Sequence, residues 1–216
     1  MTCDFSLTHY RDLLRAARTG GYGWAGFDIP PQPGAVILRH DVDLSLDAAV
    51  AVAEAEADEG AWSTWFLMTR SVFYNLASSE GERAIERLHE LGHRVAHHAV
   101  YPHVDLDERF DPVVAWHNPD PEYMRAPIDG AVNVMEAPFF DPDHYRSDSN
   151  QHWRNGCPHE ALAHGEFEWL QLLTHPEIWA YPGETMRETM LAMLEAERGR
   201  DLERLADDRI DLGSVT

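Results

Sequence analysis

Charged and imidazole side chains directly follow a short apolar segment in the first quarter of the sequence. The apolar residues of Ala35–Arg39 have the pattern of a buried strand, and they lead into His40, Asp41, Val42 and Asp43. A carboxylate at a strand end can bind a divalent cation or accept a proton. Because the two carboxylates lie so close together, one could bind a metal ion while the other acts as a base. This segment is therefore the first part of a candidate metal site.

Histidines occupy the matching position at the ends of three later predicted strands. They are His97 and His98, His117, and His175. In a parallel α/β fold the carboxyl ends of the strands share one edge, and ligands bind at that edge. Imidazole nitrogen and carboxylate oxygen suit zinc and similar ions, and such a set leaves positions open for water and substrate. We therefore expect these imidazoles to meet the two carboxylates at one divalent cation.

Each of these residues also has a simpler structural explanation. Asp43 could cap the helix that follows it, and Asp41 could pair with Arg39 or His40. A single histidine at a strand end is usually an ordinary core or surface residue. These explanations treat each residue separately and do not account for the repeated pattern. We predict surface positions for the histidines outside the pattern, which are His9, His89, His144, His159 and His164.

Four ordered segments of the chain resemble the motifs of one enzyme family. The segments are RHDVD at 39–43, GHRVAHH at 92–98, YRSDSNQHWRNG at 145–156 and LLTHPEIW at 172–179. They resemble the polysaccharide deacetylase (NodB-homology, carbohydrate esterase family four) superfamily, and most closely its R-H-D-V-D branch. The resemblance covers about Ser6 to Trp179. It implies a distorted (β/α) barrel and hydrolysis of the N-acetyl group of a sugar or polysaccharide precursor.

The resemblance also implies a role for individual residues. Asp41 matches the family's base, and His175 matches the histidine that protonates the leaving group. Asp43 and His98 match ligands of a divalent metal, which we expect to be zinc, with cobalt, nickel or iron as alternatives. Asp148, Trp153 and Arg154 are expected to contact the substrate or to orient the catalytic groups, and the residues expected to contact the substrate alone are Arg39, His40 and Trp179.

The third metal ligand departs from the common pattern of the family. Many members carry a second histidine four residues after the first, but here Pro102 occupies that position and His103 follows it. His117, in the segment WHNP, resembles the strand-end histidine of the R-H-D-V-D branch. We therefore predict His117 as the third ligand and keep His103 as the alternative. The departure also leaves a second function open, namely a catalytically inactive deacetylase-like barrel that binds a glycan or a metal.

Alternating strand and helix patterns predict a single α/β domain over residues 1–216. Its parts are an N-terminal helix and lead-in (1–34), a barrel core (35–183) and a C-terminal helix and tail (184–216). The predicted strands are 35–39, 62–68, 93–98, 112–117 and 168–175, and the predicted helices are 7–17, 45–59, 80–91 and 184–208. The residues predicted to face inward from the last helix are Met186, Met190, Met193 and Leu194.

Composition excludes several classes of partner. The chain carries 17 basic and 38 acidic residues, for a net charge of -21, so its field repels nucleic acids and anionic lipids. No apolar run approaches the roughly 20 residues that cross a bilayer, and no secretory signal pattern is present. We therefore expect a cytoplasmic protein without a membrane span. Cys3 and Cys157 indicate free thiols rather than a disulfide framework.

Overall fold

Eight strands form one curled sheet in the computed structural model, which describes residues 3–210. The strands are β1 (Gly23–Ala25), β2 (Ala35–Val42), β3 (Thr64–Met68), β4 (Arg94–Ala99), β5 (Val113–Trp116), β6 (Val132–Asn133), β7 (Tyr145–Ser147) and β8 (Trp169–Thr174). Their order is β6-β5-β4-β3-β2-β8-β7, and β1 pairs with the first residues of β2. Every pairing between these strands is parallel, so their carboxyl ends share one edge.

Helices flank this sheet and complete a mixed α/β domain. They are α1 (Leu7–Thr19), α2 (Leu46–Asp58), α3 (Ser79–Glu90), α4 (His159–Ala163), α5 (Pro176–Ala180) and α6 (Met186–Asp207). The hydroxyl of Ser45 accepts a hydrogen bond from the backbone N–H of Ala48 and caps α2, so Asp43 does not perform that task. Within residues 3–210, none of the helices has both the length and the apolar character needed to cross a bilayer.

Strand alternation sorts the buried side chains onto two faces of the sheet. On one face, Leu38 and Val42 belong to the larger hydrophobic core, which the sheet shares with α1, α2 and α5. On the other face, Ile37 and Phe66 pack with Phe139 in a second cluster. Residues of the irregular segment after β6 cover this second face. The candidate site lies on the same face as the second cluster, at the carboxyl ends of the strands.

The predicted elements are confirmed in outline, with three differences. The strand β2 continues to Val42 because Arg39–Val42 pairs with Thr64–Leu67, so Asp41 lies inside a strand rather than beyond its end. The short elements β1, β6, β7, α4 and α5 are absent from the sequence prediction. In α6, Met193 is buried, but the inward position predicted for Leu194 is wrong because that side chain is 51% exposed. Only Thr189 and Met193 are buried along this helix, so its inward face is narrower than the sequence pattern suggests.

One of the isolated histidines also differs from its prediction. His9 was expected at the surface, but it is only 5% exposed because α1 turns it toward the larger core. Cys3 and Cys157 are free thiols, as predicted, and both are partly buried against that core.

Candidate metal centre

Asp43, His98 and His117 bring three metal-ligating atoms together at the carboxyl edge of the sheet. Asp43 Oδ1 lies 3.0 Å from His98 Nε2 and 3.0 Å from His117 Nδ1, and the two nitrogens lie 3.2 Å apart. Ligand atoms about 2.1 Å from an ion are separated by about 3.0 Å at right angles and about 3.4 Å at tetrahedral angles. The three atoms therefore fit adjacent positions around one divalent cation.

The surroundings of Asp43 also fit a bound cation. Asp43 Oδ1 is buried and makes no hydrogen bond of good geometry. The imidazoles of His98 and His117 lie 3.0 Å from this oxygen without good hydrogen-bond geometry, and a cation shared by the three groups would satisfy all of them. Burial raises the pKa of Asp43, but the adjacent His117 and His98 outweigh burial and hold it well below its usual range. The carboxylate is therefore ionised at neutral pH, as a metal ligand must be.

Backbone contacts fix the positions of both imidazoles. His98 Nδ1 lies 2.9 Å from the carbonyl oxygen of Ala115 and can donate a proton to it, which leaves Nε2 free to bind a metal. His117 directly follows β5, and its backbone N–H donates a hydrogen bond to the carbonyl of Ala99. Metal-binding histidines typically have such a partner on the second ring nitrogen, as His98 does here.

Asp41 lies beside these three residues but is not one of the candidate metal ligands. Its Oδ2 atom is 3.9 Å from His98 Nε2. Both carboxylate oxygens accept hydrogen bonds from Arg39, at 2.8 Å from Nε and 2.7 Å from Nη2. Burial raises the pKa of Asp41, but the Arg39 guanidinium outweighs burial and lowers it. Pairing of Asp41 with Arg39 was one of the possibilities suggested by the sequence, and it is present in the structure. The ion pair holds the ionised carboxylate of Asp41 in the wall of the cavity.

His175 directly follows β8 and is held by a buried carboxylate. Its Nδ1 atom lies 2.6 Å from Asp148 Oδ1, and the other oxygen of Asp148 accepts a 2.7 Å hydrogen bond from the indole N–H of Trp179. Burial lowers the pKa of His175, but the charge of Asp148 outweighs burial and raises it to about 10. The imidazole is therefore protonated at neutral pH, with Nδ1 engaged and Nε2 available.

A cavity of about 440 Å³ opens over these groups. Asp41, Asp43, His98, His117 and His175 all line it. The apolar and aromatic part of its wall includes Trp116, Met124, Met135, Phe140, Tyr145 and Trp153. A ligand that enters the cavity therefore meets acid, base and metal-binding groups on one side and flat apolar surfaces on the other.

The residues predicted to touch the substrate fall into two groups. Arg39, Trp153 and Arg154 line the cavity. Asp148 and Trp179 do not line it, because both are buried beneath His175, where they orient that imidazole. Contact with the substrate was thus the wrong role for Trp179. Orientation of a catalytic group was one of the two roles expected for Asp148.

His40 does not reach the cavity, contrary to the prediction from the sequence. Its side chain is fully buried on the opposite face of β2, where Nε2 lies 2.8 Å from Glu56 Oε1 and Nδ1 lies 2.7 Å from Thr174 Oγ1. Strand alternation explains this, because Arg39 and Asp41 face the cavity and the residue between them must face away. The same rule separates His97 from His98, since His97 packs on the other face against Phe110.

His103, the alternative third ligand, lies outside the cluster. Its side chain is exposed in the turn after β4, whereas His117 supplies the third nitrogen. Within residues 3–210, the group formed by Asp43, His98 and His117 is one of two that could hold a metal ion. The geometry therefore favours the ligand set that the sequence preferred.

Sequence reasoning missed several residues near the site. Glu177 is 1% exposed, and its Oε2 atom has no hydrogen-bond partner. Burial raises the pKa of Glu177 to about 7, although the nearby His175 lowers it. Tyr74 was also missed, and its hydroxyl donates to the carbonyl of Val42 and fixes the end of β2. The sequence contains one indication that Glu177 lies near the site, namely its position two residues after the predicted catalytic His175. It contains no such indication for Tyr74.

Comparisons with known proteins do not assign the chain to a family. No family model matches it, and no curated protein or solved structure matches it. The function of the protein is therefore inferred from the geometry and chemistry of its site.

Proposed function

We propose that this protein is a metal-dependent hydrolase that removes the N-acetyl group from a sugar or polysaccharide precursor. One observation carries the proposal. Three metal-ligating atoms, from Asp43, His98 and His117, lie within 3.2 Å of one another, and Asp41 and His175 line the same cavity. The curled parallel sheet is compatible with the distorted (β/α) barrel of a polysaccharide deacetylase, which is part of the proposal.

The protein's own groups can handle the protons of amide hydrolysis. When bound, a divalent ion, which we propose to be zinc, would supply Lewis acidity for the acetamide carbonyl. Asp41 is ionised and oriented by Arg39, so its carboxylate can accept the proton of the attacking water. His175 is protonated, and its Nδ1 is engaged by Asp148, so Nε2–H can donate to the amine nitrogen as the C–N bond breaks.

The cavity wall supports a carbohydrate as the substrate. The rings of Phe140 and Tyr145 line the cavity and are partly exposed, so they can pack against the apolar face of a sugar ring. Arg154 is exposed at the rim and can donate hydrogen bonds to oxygen atoms of a glycan. Two nitrogen ligands and one oxygen ligand suit zinc, cobalt, nickel or iron, so the ion in the cell depends on supply as well as affinity.

Release of acetate from N-acetylated amino sugars tests this proposal. We expect release by the zinc-loaded protein, loss of release after chelation, and recovery when zinc is added back. The alternative of a binding barrel without catalysis would instead give stoichiometric zinc and sugar binding with no acetate at any metal concentration.

A matched pair of histidine variants tests the ligand set. His117→Ala should lose stoichiometric zinc and acetate release together, because it removes one of three donors. His103→Ala removes an exposed imidazole that follows the same strand as His98 and should retain both. Metal content is measured by elemental analysis on the folded variants. The opposite result, with His103→Ala empty and His117→Ala full, would show that the ligand assignment is wrong.

A further inference from the structure

A second group of metal-ligating side chains lies outside the cavity. Cys3, His9 and Cys157 place their ligand atoms within 4.8 Å of one another, and His9 Nε2 lies 3.3 Å from Cys157 Sγ. They come from the segment before α1, from α1 itself and from the loop before α4. None of the three lines the cavity over the first site. The fold therefore joins distant parts of the chain at this point.

The contacts among these side chains are weak hydrogen bonds that involve thiols. His9 is 5% exposed, and its Nε2 atom faces a thiol, which is only a weak hydrogen-bond donor and acceptor. Cys3 and Cys157 are free and pack against the larger core. A buried imidazole normally has a stronger partner than a neutral thiol.

His159 adds a second, independent observation at the same place. Its ring stacks on that of His9, with centroids 5.4 Å apart and planes 28° from parallel. His159 Nδ1 is buried and has no hydrogen-bond partner. Two thiolates and two imidazoles are the ligand set of many structural zinc sites. His159 was expected to be a surface residue, and its position beside this cluster explains why its nitrogen is buried.

We propose that Cys3, His9 and Cys157 bind a zinc ion, and that the neighbouring His159, which lies outside this group in the structure, turns toward the ion to complete its coordination. A disulfide between the two cysteines would leave both imidazoles without a strong partner, whereas zinc would satisfy all four side chains. Because every coordination position is taken by protein, this site is structural, unlike the open site in the cavity.

The position of the second site suggests what it stabilises. The ring of His9 stacks on that of Trp179, with centroids 6.4 Å apart and planes 7° from parallel. Trp179 donates a hydrogen bond to Asp148, which in turn holds His175. A zinc ion would therefore fasten the N-terminal segment and the loop before α4 behind the residues that orient the catalytic imidazole.

Cobalt substitution gives a direct readout of sulfur ligands. The first site is removed with Asp43→Ala, and Co²⁺ is added to the full-length protein under a reductant that is not itself a thiol. We expect about one equivalent of bound Co²⁺ with thiolate-to-cobalt charge-transfer absorption in the near ultraviolet, which a site made of Asp and His cannot produce. Cys157→Ser should abolish this absorption. His159→Ala should alter it, whereas His164→Ala, on the exposed end of α4, should leave it unchanged.

Zinc itself provides a second measurement on the same Asp43→Ala background. At zinc concentrations of about 100 times Kd, we expect Tm to rise by about 5 to 10 °C and both thiols to be protected from alkylation. The absence of cobalt–sulfur absorption in the reduced protein, with both thiols fully reactive in zinc, would overturn the proposal. Failure of the hydrolase proposal would leave the sulfur signature intact, so the two outcomes are distinguishable.

Discussion

The strand β2 separates two polar networks, and they differ in how fully their groups are satisfied. On the helix side, Glu56 Oε1 accepts a 2.5 Å hydrogen bond from Tyr10, and Glu56 Oε2 accepts a 2.6 Å hydrogen bond from Ser63. His40 lies 2.8 Å from the same carboxylate and 2.7 Å from Thr174. Every polar atom of these side chains lies in a closed, buried set of partners. Such a network contributes to stability and specifies one packing.

On the cavity side of the same strand, the polar groups face open space. Asp43 Oδ1 has no hydrogen-bond partner of good geometry, and the three candidate ligand atoms converge on one point. Asp41 is satisfied by Arg39 on one side and faces the cavity on the other. Residue type alone therefore does not mark a functional group. A buried polar network closed off from the cavity indicates a structural role, whereas ligand atoms that converge beside an open cavity indicate a binding role.

Asp41→Asn should have the largest effect on turnover and so gives the strongest test of this contrast. The amide cannot accept the proton from water, so we expect kcat to fall by roughly 10²- to 10⁴-fold while zinc content stays near one equivalent at the first site. Asp105→Asn, an exposed carboxylate paired with Arg70, is the matched control and should leave kcat unchanged. Near-full activity in Asp41→Asn would rule out its role as the base.

Asp148→Asn should have an intermediate effect that depends on pH. Asp148 raises the pKa of His175 to about 10, and without that charge the pKa should fall toward its ordinary value near 6.5. The fraction of protonated imidazole at pH 8.5 would then drop, and kcat/KM should fall by about 10- to 100-fold there, with a smaller change at pH 6. His175 would be excluded as the acid if the rate of Asp148→Asn began to fall at the same alkaline pH as the rate of the wild-type protein.

The same pair makes a prediction about stability with a defined sign. Because folding raises the pKa of His175, the stabilisation is fully present below pH 6.5 and is lost as pH rises toward about 10. Denaturant unfolding across that range should show a steeper loss for the wild-type protein than for Asp148→Asn. Equal slopes would mean that the ion pair is not formed in the folded protein.

Glu56→Gln should have the smallest effect on turnover, because it changes only the closed network. We expect kcat and zinc content to change less than about twofold, while the free energy of unfolding falls by about 2 kcal/mol as hydrogen bonds to a charged acceptor are lost. Glu54→Gln, on the exposed side of α2, removes a surface ion pair with Arg87 and should cost less than about 1 kcal/mol. A large loss of turnover in folded Glu56→Gln would contradict the division between the two faces.

The three side chains that converge at the carboxyl edge were all indicated by the sequence, whereas His40, Asp148 and Trp179, which were predicted near the substrate, do not line the cavity. Carboxylates and imidazoles at strand ends indicated Asp43, His98 and His117, because parallel strands place their ends at one edge. The error at His40 came from treating adjacent residues of β2 as equivalent, although alternate residues of a strand face opposite sides. Since Arg39 and Asp41 share the cavity face, alternation along the strand is enough to place His40 on the other one.

The burial of other side chains could not be predicted from any single segment of the sequence. The burial of His9 and its contact with Cys157 depend on how α1 packs against the loop before α4, which joins residues far apart in the chain. The exposure of Leu194 likewise depends on which element packs against α6. Helical spacing placed Leu194 on the same predicted inward face as Met193, but in the structure only Met193 of the two is buried. Local periodicity shows that one face of a helix is apolar, but the face is buried only where another element packs against it.

Local periodicity, helix caps and chain connectivity were enough to predict the alternation of strands and helices, the parallel sheet and the residues at its carboxyl edge. Two facts depend on tertiary packing: His117 rather than His103 lies within 3.2 Å of the other candidate ligand atoms, and Asp148 lies beneath His175. Distances between side chains on different strands depend on the curl of the sheet and on loop paths. Those are set by packing across the whole domain and cannot be read from any one segment.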